Sequence, residues 1–318
     1  MAVKDLRSGD VLEGIVLLLK KFEVRSAKNN STYADMTLAD KSGEIAAKYW
    51  NLSEDKRAFE IGQPVRISAA VETYREKPQL RITDISIPDK GEVDMSGLVD
   101  CAPYPPQTMY DEIAATVSGI GNKDIREIAL AILNDSKEKL LYYPAGKSFH
   151  HAIRSGLLYH TYTMMNAAKA MCRIYDNLDS GLLFAGVALH DIGKLDELNG
   201  EESGVAESYS MEGKLLGHIS IGVKKVHETG LMLGSDPEIM ILLDLMILSH
   251  HFEPEYGSPV KPMFPEAEML HHLDLIDSRM DQFRKTEEET PEKSFSDNVW
   301  ILDKRNVYNH AMRTEDNK

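Results

Sequence analysis

Residues 181–195, GLLFAGVALHDIGKL, place a histidine and an aspartate side by side at the end of an apolar run. The run is typical of a buried helix, so His190 and Asp191 come where that helix ends. Adjacent residues on a regular helix point about 100° apart and could not both reach one ion. At a helix end next to Gly193 the backbone can bend, and both side chains can turn to one point. The carboxylate of Asp191 has two oxygens, so it could bridge two metal ions, which a second histidine could not.

Other apolar segments that look helical also carry histidines or an aspartate. These residues are His160 in GLLYHTYTMM, His218 in LLGHIS, His250 and His251 in MILSHH, and Asp274 in LHHLDLID. An unpaired ionisable group among apolar residues is costly, and one such histidine taken alone is usually a satisfied core residue. Five helices that each aim a His or Asp inward instead predict a metal site built from facing helices.

The N-terminal part of the chain has the two-residue period of strands. The strand candidates are VLEGIVLLL from residue 11, STYADMTLAD from 31, GEIAAKYW from 43, PVRISAAVETY from 64 and QLRITDISI from 79. In the second of them Ala34, Met36 and Leu38 share one face. A short polar helix, SEDKRAFEIG, is expected between the third and fourth strands. This order predicts an OB-fold β-barrel.

Beyond a segment rich in proline and turn-forming residues the two-residue period disappears, and helical segments follow one another. Asp236-Pro237 is a typical helix start, with an acceptor at the N-cap and proline at the first helical position. The sequence predicts a multidomain protein, an N-terminal OB-fold barrel followed by an all-α helical bundle. The predicted bounds are 1–88 for the barrel, 89–106 for a linker, 107–285 for the bundle and 286–318 for a charged, partly ordered tail in which Val299, Trp300 and Ile301 could dock.

The net charge of −15 argues against a general polyanion binder, but it is unevenly distributed. Residues 1–88 carry 14 Lys+Arg against 13 Asp+Glu, and the remainder carries 22 against 38. Two cysteines cannot form a disulfide framework, no 18-residue apolar stretch exists, and MAVKDLRSGD lacks the apolar core of a signal peptide. We therefore expect a cytoplasmic protein without membrane spans.

The order of His160, His190-Asp191, His218, His250-His251 and Asp274 resembles that of HD-domain metal-dependent phosphohydrolases with enough ligands for two metals. Together with LADKSGEIAAKYW, KSFHHAIRSGLLYHT and SHHFEPEYGSPVKPMFPEAEMLHHLDLIDSRM, the chain resembles the bacterial YhaM-type 3′–5′ exoribonucleases from Leu6 to about Arg284. That family combines an OB-fold with an HD domain and degrades single-stranded RNA, and some DNA, with manganese favoured. Two positions depart from its pattern: Ser155 precedes Gly156 where a glycine pair is expected, and Phe252 follows the two histidines where a small residue is common.

The resemblance implies roles for individual residues. One metal ion would be held by His160, His190, Asp191 and Asp274, and a second would share Asp191 and bind His218 and His250, with His251 as a further candidate ligand. Such ligands suit Mn²⁺, Fe²⁺ or Zn²⁺, with Mg²⁺ as a further candidate. Asp191 would be the catalytic bridge, and Lys194 would neutralise the phosphate unless it is a solvated lysine at a helix end.

Further residues are candidates for substrate contact or for support of the ligands. His150 and His151 could contact substrate phosphate or be polar cap residues. His271 and Asp277 could hydrogen-bond a ligand, although Asp277 could equally lie at the surface. The strand-binding candidates on the barrel are Tyr33, Lys48, Trp50, Tyr74, Arg75, Lys77 and Arg81, with Tyr33 and Trp50 alternatively at the barrel core or end.

Three functions stay open at this point. The first is an exoribonuclease that hydrolyses single-stranded RNA, and possibly in addition single-stranded DNA, to nucleoside 5′-monophosphates. The second is a phosphohydrolase of small nucleotides whose OB domain serves assembly or regulation, and the third is a nucleic-acid-binding factor with a vestigial site. The complete ligand set argues against the third, and assembly into a homo-oligomer is left open.

Overall fold

The computed structural model describes residues 2–26, 31–50, 52, 59–89, 92–147, 151–200 and 203–312. Its contacts divide the chain into two units. One unit comprises Met1–Cys101 with Gly200–Val205, and the other comprises Ala102–Asn199 with Ala206–Lys318. Each unit is built around an apolar core of its own.

The first unit is a closed five-stranded barrel, which confirms the predicted OB-type barrel. Its strands are β1 (Val11–Ser26), β2 (Thr32–Asp40), β3 (Gly43–Trp50), β4 (Pro64–Tyr74) and β5 (Lys77–Ser86). Around the barrel the strands follow the order β1-β2-β3-β5-β4. All neighbours are antiparallel except β3 and β5, and β1 closes the barrel by pairing with β4. The helix expected from residue 53 falls largely outside the described residues.

The two-residue period places alternate side chains inside this barrel. Ala34, Met36 and Leu38 are all buried, as the alternation in β2 predicts. Strand β4 alternates over its buried length in the same way, with Val65 and Ile67 inside. The polar faces are thereby left on the outer surface of the barrel.

The long strand β1 pairs with two neighbouring strands and contains a bulge at Gly14. The pairing of β1 with β4 shifts register between Leu12 and Ile15, and Gly14 in this interval has φ +63°. A left-handed residue at a bulge bends a strand and increases its twist, and glycine adopts it without a Cβ penalty. The bulge lies within the part of β1 that pairs with β4, and the pairing with β2 begins at Leu18.

The second unit is a helical bundle. Its helices are α1 (Pro106–Ser118), α2 (Lys123–Leu140), α3 (Gly156–Ile174), α4 (Ser180–Leu189), α5 (Lys194–Glu197), α6 (Met211–Leu233), α7 (Pro237–Ser249) and α8 (Pro265–Glu289). The start of α7 is confirmed in detail: the Asp236 side chain accepts the N–H of Glu238, and Pro237 is the first helical residue. Helix α4 is apolar nearly all round because it lies in the core of the bundle, whereas α7 buries one face and leaves Ile241 exposed.

The bundle also contains strands that its apolar pattern does not predict, so it is not purely helical. The strands β6 (Leu198–Gly200) and β7 (Ala206–Tyr209) form one short pair, and β8 (Phe295–Val299) and β9 (Arg305–Tyr308) form another. Helix α8 continues past residue 285, so part of the predicted tail is ordered. In the turn between β8 and β9 the side chain that docks is Leu302, whereas Trp300 is 71% exposed.

The predicted linker is partly structured. Residues up to Cys101 group with the barrel, since the N–H of Lys41 donates to the carbonyl of Gly97 and Arg66 pairs with Glu92. Within the described parts of the chain, no helix has the length and apolar character that crossing a bilayer requires.

Candidate metal centre and nucleic-acid interface

His190 and Asp191 directly follow the end of helix α4 at Leu189, and both side chains are buried. Nδ1 of His190 donates to the carbonyl of Val187 at 3.0 Å, and its Nε2 lies 3.4 Å from Oδ2 of Asp191. His190 is the C-cap and keeps a helical backbone, with φ −53° and ψ −39°, yet the ends of the two adjacent side chains approach each other at the end of the helix. They therefore reach one point.

Four other helices bring residues to the same point. Nε2 of His160 on α3 lies 3.2 Å from Nε2 of His190 and 3.4 Å from Oδ1 of Asp274 on α8. On the other side of Asp191, Oδ1 lies 3.5 Å from Nε2 of His218 on α6 and 3.8 Å from Nε2 of His250 at the end of α7. All seven predicted ligands thus lie in one cluster.

The cluster consists of two groups that share Asp191. We call His160, His190, Asp191 and Asp274 subsite 1, and Asp191, His218, His250 and His251 subsite 2. Each oxygen of Asp191 faces one of them: Oδ2 lies beside His190, and Oδ1 lies beside His218. Asp274 also lies between the groups, because its Oδ2 is 3.8 Å from Nε2 of His251.

The spacing of these atoms fits metal coordination. Two ligand atoms about 2.1 Å from one ion lie roughly 3.0–3.4 Å apart in octahedral or tetrahedral geometry. In subsite 1 the separations from His160 to His190 and from His190 to Asp191 are 3.2 and 3.4 Å. The separations in subsite 2 are somewhat wider, at 3.5 and 3.8 Å to Asp191 Oδ1.

Every histidine of the cluster is anchored through Nδ1. The acceptor is a main-chain carbonyl for His190 (Val187), His250 (Ile247) and His251 (Tyr256), and it is a carboxylate for His160 (Asp277) and His218 (Glu197). A carbonyl can only accept, so Nδ1 of the first three carries the proton and Nε2 keeps its lone pair. This is the arrangement in which imidazole binds a metal ion through Nε2.

Buried polar atoms that make no hydrogen bond indicate that the cluster is suited to bind a further group. Within the described parts of the chain, Oδ1 of Asp191, Nε2 of His218 and Nε2 of His250 are buried and make no hydrogen bond. Leaving such atoms unsatisfied is costly, and three of them converging at one point is not a packing accident. A divalent cation would satisfy all three, so the residues present fit a metal ion.

The charges of the cluster are arranged to keep its carboxylates ionised. Burial raises the pKa of Asp191, but Lys194 and His190 outweigh it and hold that pKa well below its usual range. Burial also lowers the pKa of His250, and the neighbouring His251 and His190 lower it further, so this ring is neutral at pH 7.

The pKa of His160 is shifted in the opposite direction from that of His250. Burial lowers its pKa, but the hydrogen bonds that its ring donates to Asp274 and Asp277 outweigh burial and raise that pKa to about 10. A proton and a metal ion therefore compete for Nε2 of His160. Metal binding at this atom releases the proton.

Lys194 contacts the bridging carboxylate directly. Its Nζ lies 2.6 Å from Oδ2 of Asp191, and the residue is buried, so it is not a solvated lysine. The predicted contact with phosphate is not tested by this geometry. The observed contact holds Asp191 in place and offsets its charge.

Two glycines position α6 against α5. A Cβ on Gly193 would lie 2.0 Å from the carbonyl oxygen of His218, so this position admits no side chain while the backbones stay as they are. Gly217 interrupts α6 with φ 70° and ψ 159°, which frees the N–H of His218 from the helix. Oε1 of Glu197 accepts that N–H at 3.0 Å and also faces Nδ1 of His218 at 3.2 Å.

His150, His151 and His271 are predicted to lie near the metal ligands, and the structure describes two of the three. His151 is buried beside Asp277, with its Nε2 2.8 Å from Oδ2, and its N–H donates to Asp281. His150 lies outside the described residues. Nδ1 of His271 donates to the main-chain carbonyl of His250, so it supports the backbone of a predicted ligand and not its ring.

The two positions that depart from the family pattern both have a left-handed backbone. Ser155 has φ 61° and Phe252 has φ 65°, a conformation that favours glycine. The hydroxyl of Ser155 donates to the carbonyl of Leu141 at 2.6 Å, which helps to hold this turn. Gly156 next to it admits no Cβ, because the atom would lie 1.9 Å from the carbonyl oxygen of His151.

Aromatic and basic side chains form a patch on the barrel. Tyr33 and Trp50 pair across β2 and β3 and stack with ring centroids 4.6 Å apart. Nζ of Lys48 lies 5.2–5.6 Å from the ring centres of Tyr33, Trp50 and Tyr74. Trp50 is 42% exposed and Tyr74 is 50% exposed, so neither is a core residue. We call Tyr33, Lys48, Trp50, Tyr74 and Arg75 the aromatic patch.

Arg75, Lys77 and Arg81 are the remaining basic candidates of the barrel. Arg75 lies over the ring of Tyr74, in a two-residue turn in which both Arg75 and Glu76 have positive φ. Lys77 pairs with Tyr74 across the hairpin that this turn closes. Arg81 neighbours Lys48 across β3 and β5, but it is engaged in an ion pair with Glu72.

Comparison with known proteins agrees with both halves of this description. Residues 157–284 match the HD domain, and residues 11–88 match the OB-fold nucleic acid binding domain. The chain is 36% identical to the 3′-5′ exoribonuclease YhaM of Geobacillus sp. (strain WCH70), over 92% of this chain and 90% of that protein. It is 37% identical to the YhaM of Halalkalibacterium halodurans, over 94% and 93%.

The chain belongs to the YhaM family of 3′–5′ exoribonucleases. The matched HD segment contains every member of both subsites, from His160 to Asp274. The matched OB segment likewise contains the whole aromatic patch. The predicted resemblance is therefore confirmed.

Two carboxylates of the site are not singled out by sequence reasoning. Glu197 follows the HDIGK stretch and looks like an ordinary acid at the end of a short helix, and Asp281 looks like a charge on the exposed face of α8. Only Asp277 carries a signal, because it lies one helical turn after Asp274 and thus on the same face.

Proposed function

We propose that this chain hydrolyses single-stranded RNA from the 3′ end by a two-metal mechanism and releases nucleoside 5′-monophosphates. The observation that carries the proposal is the position of Asp191, a buried carboxylate with one oxygen toward each of two ligand groups. The family supplies the direction and the RNA substrate. Two divalent cations are the proposed cofactor.

Ions bound at the subsites would activate the attacking water and stabilise negative charge on the phosphate oxygens. The residues of the chain hold that arrangement in place. Asp191 bridges the subsites and fixes their separation, and Lys194 fixes Asp191 through its 2.6 Å contact. Water adds to the 3′-terminal phosphorus, and the bond from phosphorus to the O3′ of the penultimate nucleotide breaks. The departing nucleotide then carries a 5′-phosphate, and the shortened strand regains a 3′-hydroxyl.

We propose Mn²⁺ as the ion, with Fe²⁺, Zn²⁺ and Mg²⁺ as the alternatives to compare. Subsite 2 has three imidazoles and only one carboxylate. Imidazole suits first-row transition metals, whereas Mg²⁺ and Ca²⁺ prefer oxygen ligands. Subsite 1 is the more oxygen-rich of the two, since both Asp191 and Asp274 border it.

We propose that the aromatic patch captures the strand. Base stacking on exposed aromatic side chains tolerates any sequence and contributes about 1–3 kcal/mol per base. The stacked Tyr33 and Trp50 offer a platform, and Lys48 among the rings offers a cation for a phosphate. The first 88 residues are nearly neutral in charge, so stacking must supply much of the affinity.

A ladder assay tests the reaction. Single-stranded RNA labelled at its 5′ end should shorten one nucleotide at a time in Mn²⁺, and thin-layer chromatography should identify nucleoside 5′-monophosphates. A matched DNA strand and a panel of nucleoside di- and triphosphates serve as competing substrates, and Asp191→Ala serves as the inactive control. Hydrolysis of free nucleotides with an intact RNA strand would instead support the small-nucleotide phosphohydrolase.

Cytoplasmic location and assembly into a homo-oligomer are further proposals. Cell fractionation tests the first. Light scattering on the purified full-length chain tests the second.

A further inference from the structure

The five histidines of the metal centre differ in what holds their Nδ1 atoms. His190, His250 and His251 are held by main-chain carbonyls. His160 and His218 are held by the carboxylates of Asp277 and Glu197. One of these two histidines belongs to subsite 1 and the other to subsite 2, so each subsite has one ring held by a carboxylate.

Asp277 is fixed on the side of subsite 1. Its Oδ2 lies 2.7 Å from Nδ1 of His160 and 2.8 Å from Nε2 of His151. His151 is held in turn by Asp281, which accepts its main-chain N–H at 2.9 Å. Asp281 forms ion pairs with Arg284 and Lys285. The chain of contacts gives the carboxylate of Asp277 little freedom to turn away from His160.

Glu197 is fixed on the side of subsite 2 by a different device. Gly217 interrupts α6 immediately before His218, so the N–H of His218 is available outside the helical ladder. Oε1 of Glu197 accepts that N–H at 3.0 Å and faces Nδ1 of the same residue at 3.2 Å. One carboxylate oxygen thus orients both the backbone and the ring of His218.

We infer that Asp277 and Glu197 are positioning residues, one for each subsite, and that they set the metal affinities of the two subsites separately. The inference rests on the proposed two-metal function. A carboxylate on the far nitrogen fixes the ring and its tautomer and raises its basicity as a ligand, and loss of such a partner typically weakens metal binding about 10–100-fold. Neither carboxylate lies close enough to Asp191 to form an ion-ligand group with it; Asp277 groups instead with His151 and His160, and it faces Nδ1 of His160, whereas Nε2 of that ring faces His190. Each acts on the metal through its own histidine.

Metal titration of the full-length protein tests this. Wild type, stripped of metal and titrated with Mn²⁺ by calorimetry, should bind two ions. Asp277→Asn and Glu197→Gln should each weaken one of the two binding events about 10–100-fold and leave the other within about threefold. The Asn and Gln variants keep an acceptor at the same place, so Asp277→Ala and Glu197→Ala should weaken the same event further.

Assignment of each effect to a subsite uses two backgrounds. His160→Ala weakens subsite 1, and the remaining tight ion should then respond to Glu197→Gln and not to Asp277→Asn. His218→Ala weakens subsite 2, and the response should be reversed. The matched control is Asp244→Asn, because Asp244 holds Nδ1 of His227 at 2.7 Å and its side chain is 15% exposed, against 17% for Asp277. This variant loses an equivalent carboxylate–histidine pair away from the metals and should bind both ions as wild type does.

The outcomes separate this inference from the function on which it rests. Wild type that binds fewer than two ions overturns the two-metal function itself. Wild type that binds two ions, with both affinities unmoved in Asp277→Asn and Glu197→Gln, overturns the inference alone. Equal weakening of both ions by either variant contradicts the separation of the subsites. Thermal unfolding of the metal-free variants within a few degrees of wild type establishes that a lost ion reflects the site and not the fold.

Discussion

Gly193 packs directly against the backbone of α6. A Cβ added there would lie 2.0 Å from the carbonyl oxygen of His218 and 2.8 Å from the main-chain nitrogen of Gly222. Both contacts are with backbone, so no side-chain rotation can relieve them. Restoring an acceptable separation of about 3 Å requires α5 and α6 to move apart by roughly 1 Å.

We expect Gly193→Ala to lower kcat/KM about 10²-fold. Asp191 lies two residues before Gly193, and in the wild-type structure its Oδ1 is 3.5 Å from Nε2 of His218. The movement of the helices increases this distance. Misplacement of reacting groups by 1 Å costs on the order of 10²-fold in rate, or about 2.7 kcal/mol. Overpacking should also destabilise the fold by about 1–3 kcal/mol.

Helix propensity gives the opposite expectation, and this makes the experiment decisive. Gly193 has φ −63°, which any residue adopts, so alanine should stabilise a helix here by up to about 1 kcal/mol if packing did not matter. Gly222→Ala is the matched control on the facing helix. Its Cβ would lie 3.4 Å from Cγ2 of Ile247 and 3.7 Å from the nitrogen of Gly193, which are tolerable contacts.

Steady-state hydrolysis of labelled RNA, Mn²⁺ titration and thermal unfolding measure the effect. Gly193→Ala should lose activity and bind the ion at subsite 2 more weakly, whereas Gly222→Ala should stay within about threefold of wild type. Wild-type activity and metal affinity in Gly193→Ala would refute the argument that this glycine sets the distance between Asp191 and His218.

Three further predictions concern the ions, the bridge and the strand. Chelation followed by dialysis should abolish RNA hydrolysis, and Mn²⁺ should restore more activity than Ca²⁺ because subsite 2 is rich in imidazole. Full activity in excess chelator would contradict a metal-dependent mechanism. Asp191→Ala should lower kcat by a factor on the order of 10³ or more, since the variant loses a ligand of both subsites, and a loss of only a few-fold would mean that Asp191 is not the bridge. Trp50→Ala should raise KM for long single-stranded RNA about tenfold, because the variant loses one stacking platform worth about 1–3 kcal/mol, while kcat on a dinucleotide stays unchanged. An unchanged KM for the long RNA would mean that the aromatic patch does not bind the substrate.

The strands and helices were predictable because burial imposes a local period on the sequence. The alternation of Ala34, Met36 and Leu38 identifies β2, and all three side chains are buried in the barrel. The ligand cluster could be anticipated for a related reason. A histidine or aspartate among apolar residues on a helix has to face the interior, and there it needs a partner. Such residues on successive helices therefore indicate a common point before any contact is known.

The elements that could not be predicted depend on contacts distant in the sequence. The interruption of α6 at Gly217 leaves no mark on the apolar period, because residues on either side are helical. The hairpin of β8 and β9 lies in a charged segment, and its burial rests mainly on Leu302 and Val307. Glu197 accepts the N–H of His218 because Gly217 interrupts the helix immediately before that residue.

The stretch HDIGK can be read residue by residue once these contacts are known. His190 ends α4 and faces subsite 1 because its Nδ1 returns to the carbonyl of Val187. Asp191 joins the two subsites, Ile192 is 2% exposed and anchors the turn in the core, and Lys194 balances the charge of the bridge. Gly193 has no chemistry of its own, yet it fixes how near the helix that carries His218 can come. We therefore expect this glycine to be as necessary to subsite 2 as a ligand is, and a metal centre grafted onto another helical bundle without this close backbone approach should hold an ion at subsite 1 only.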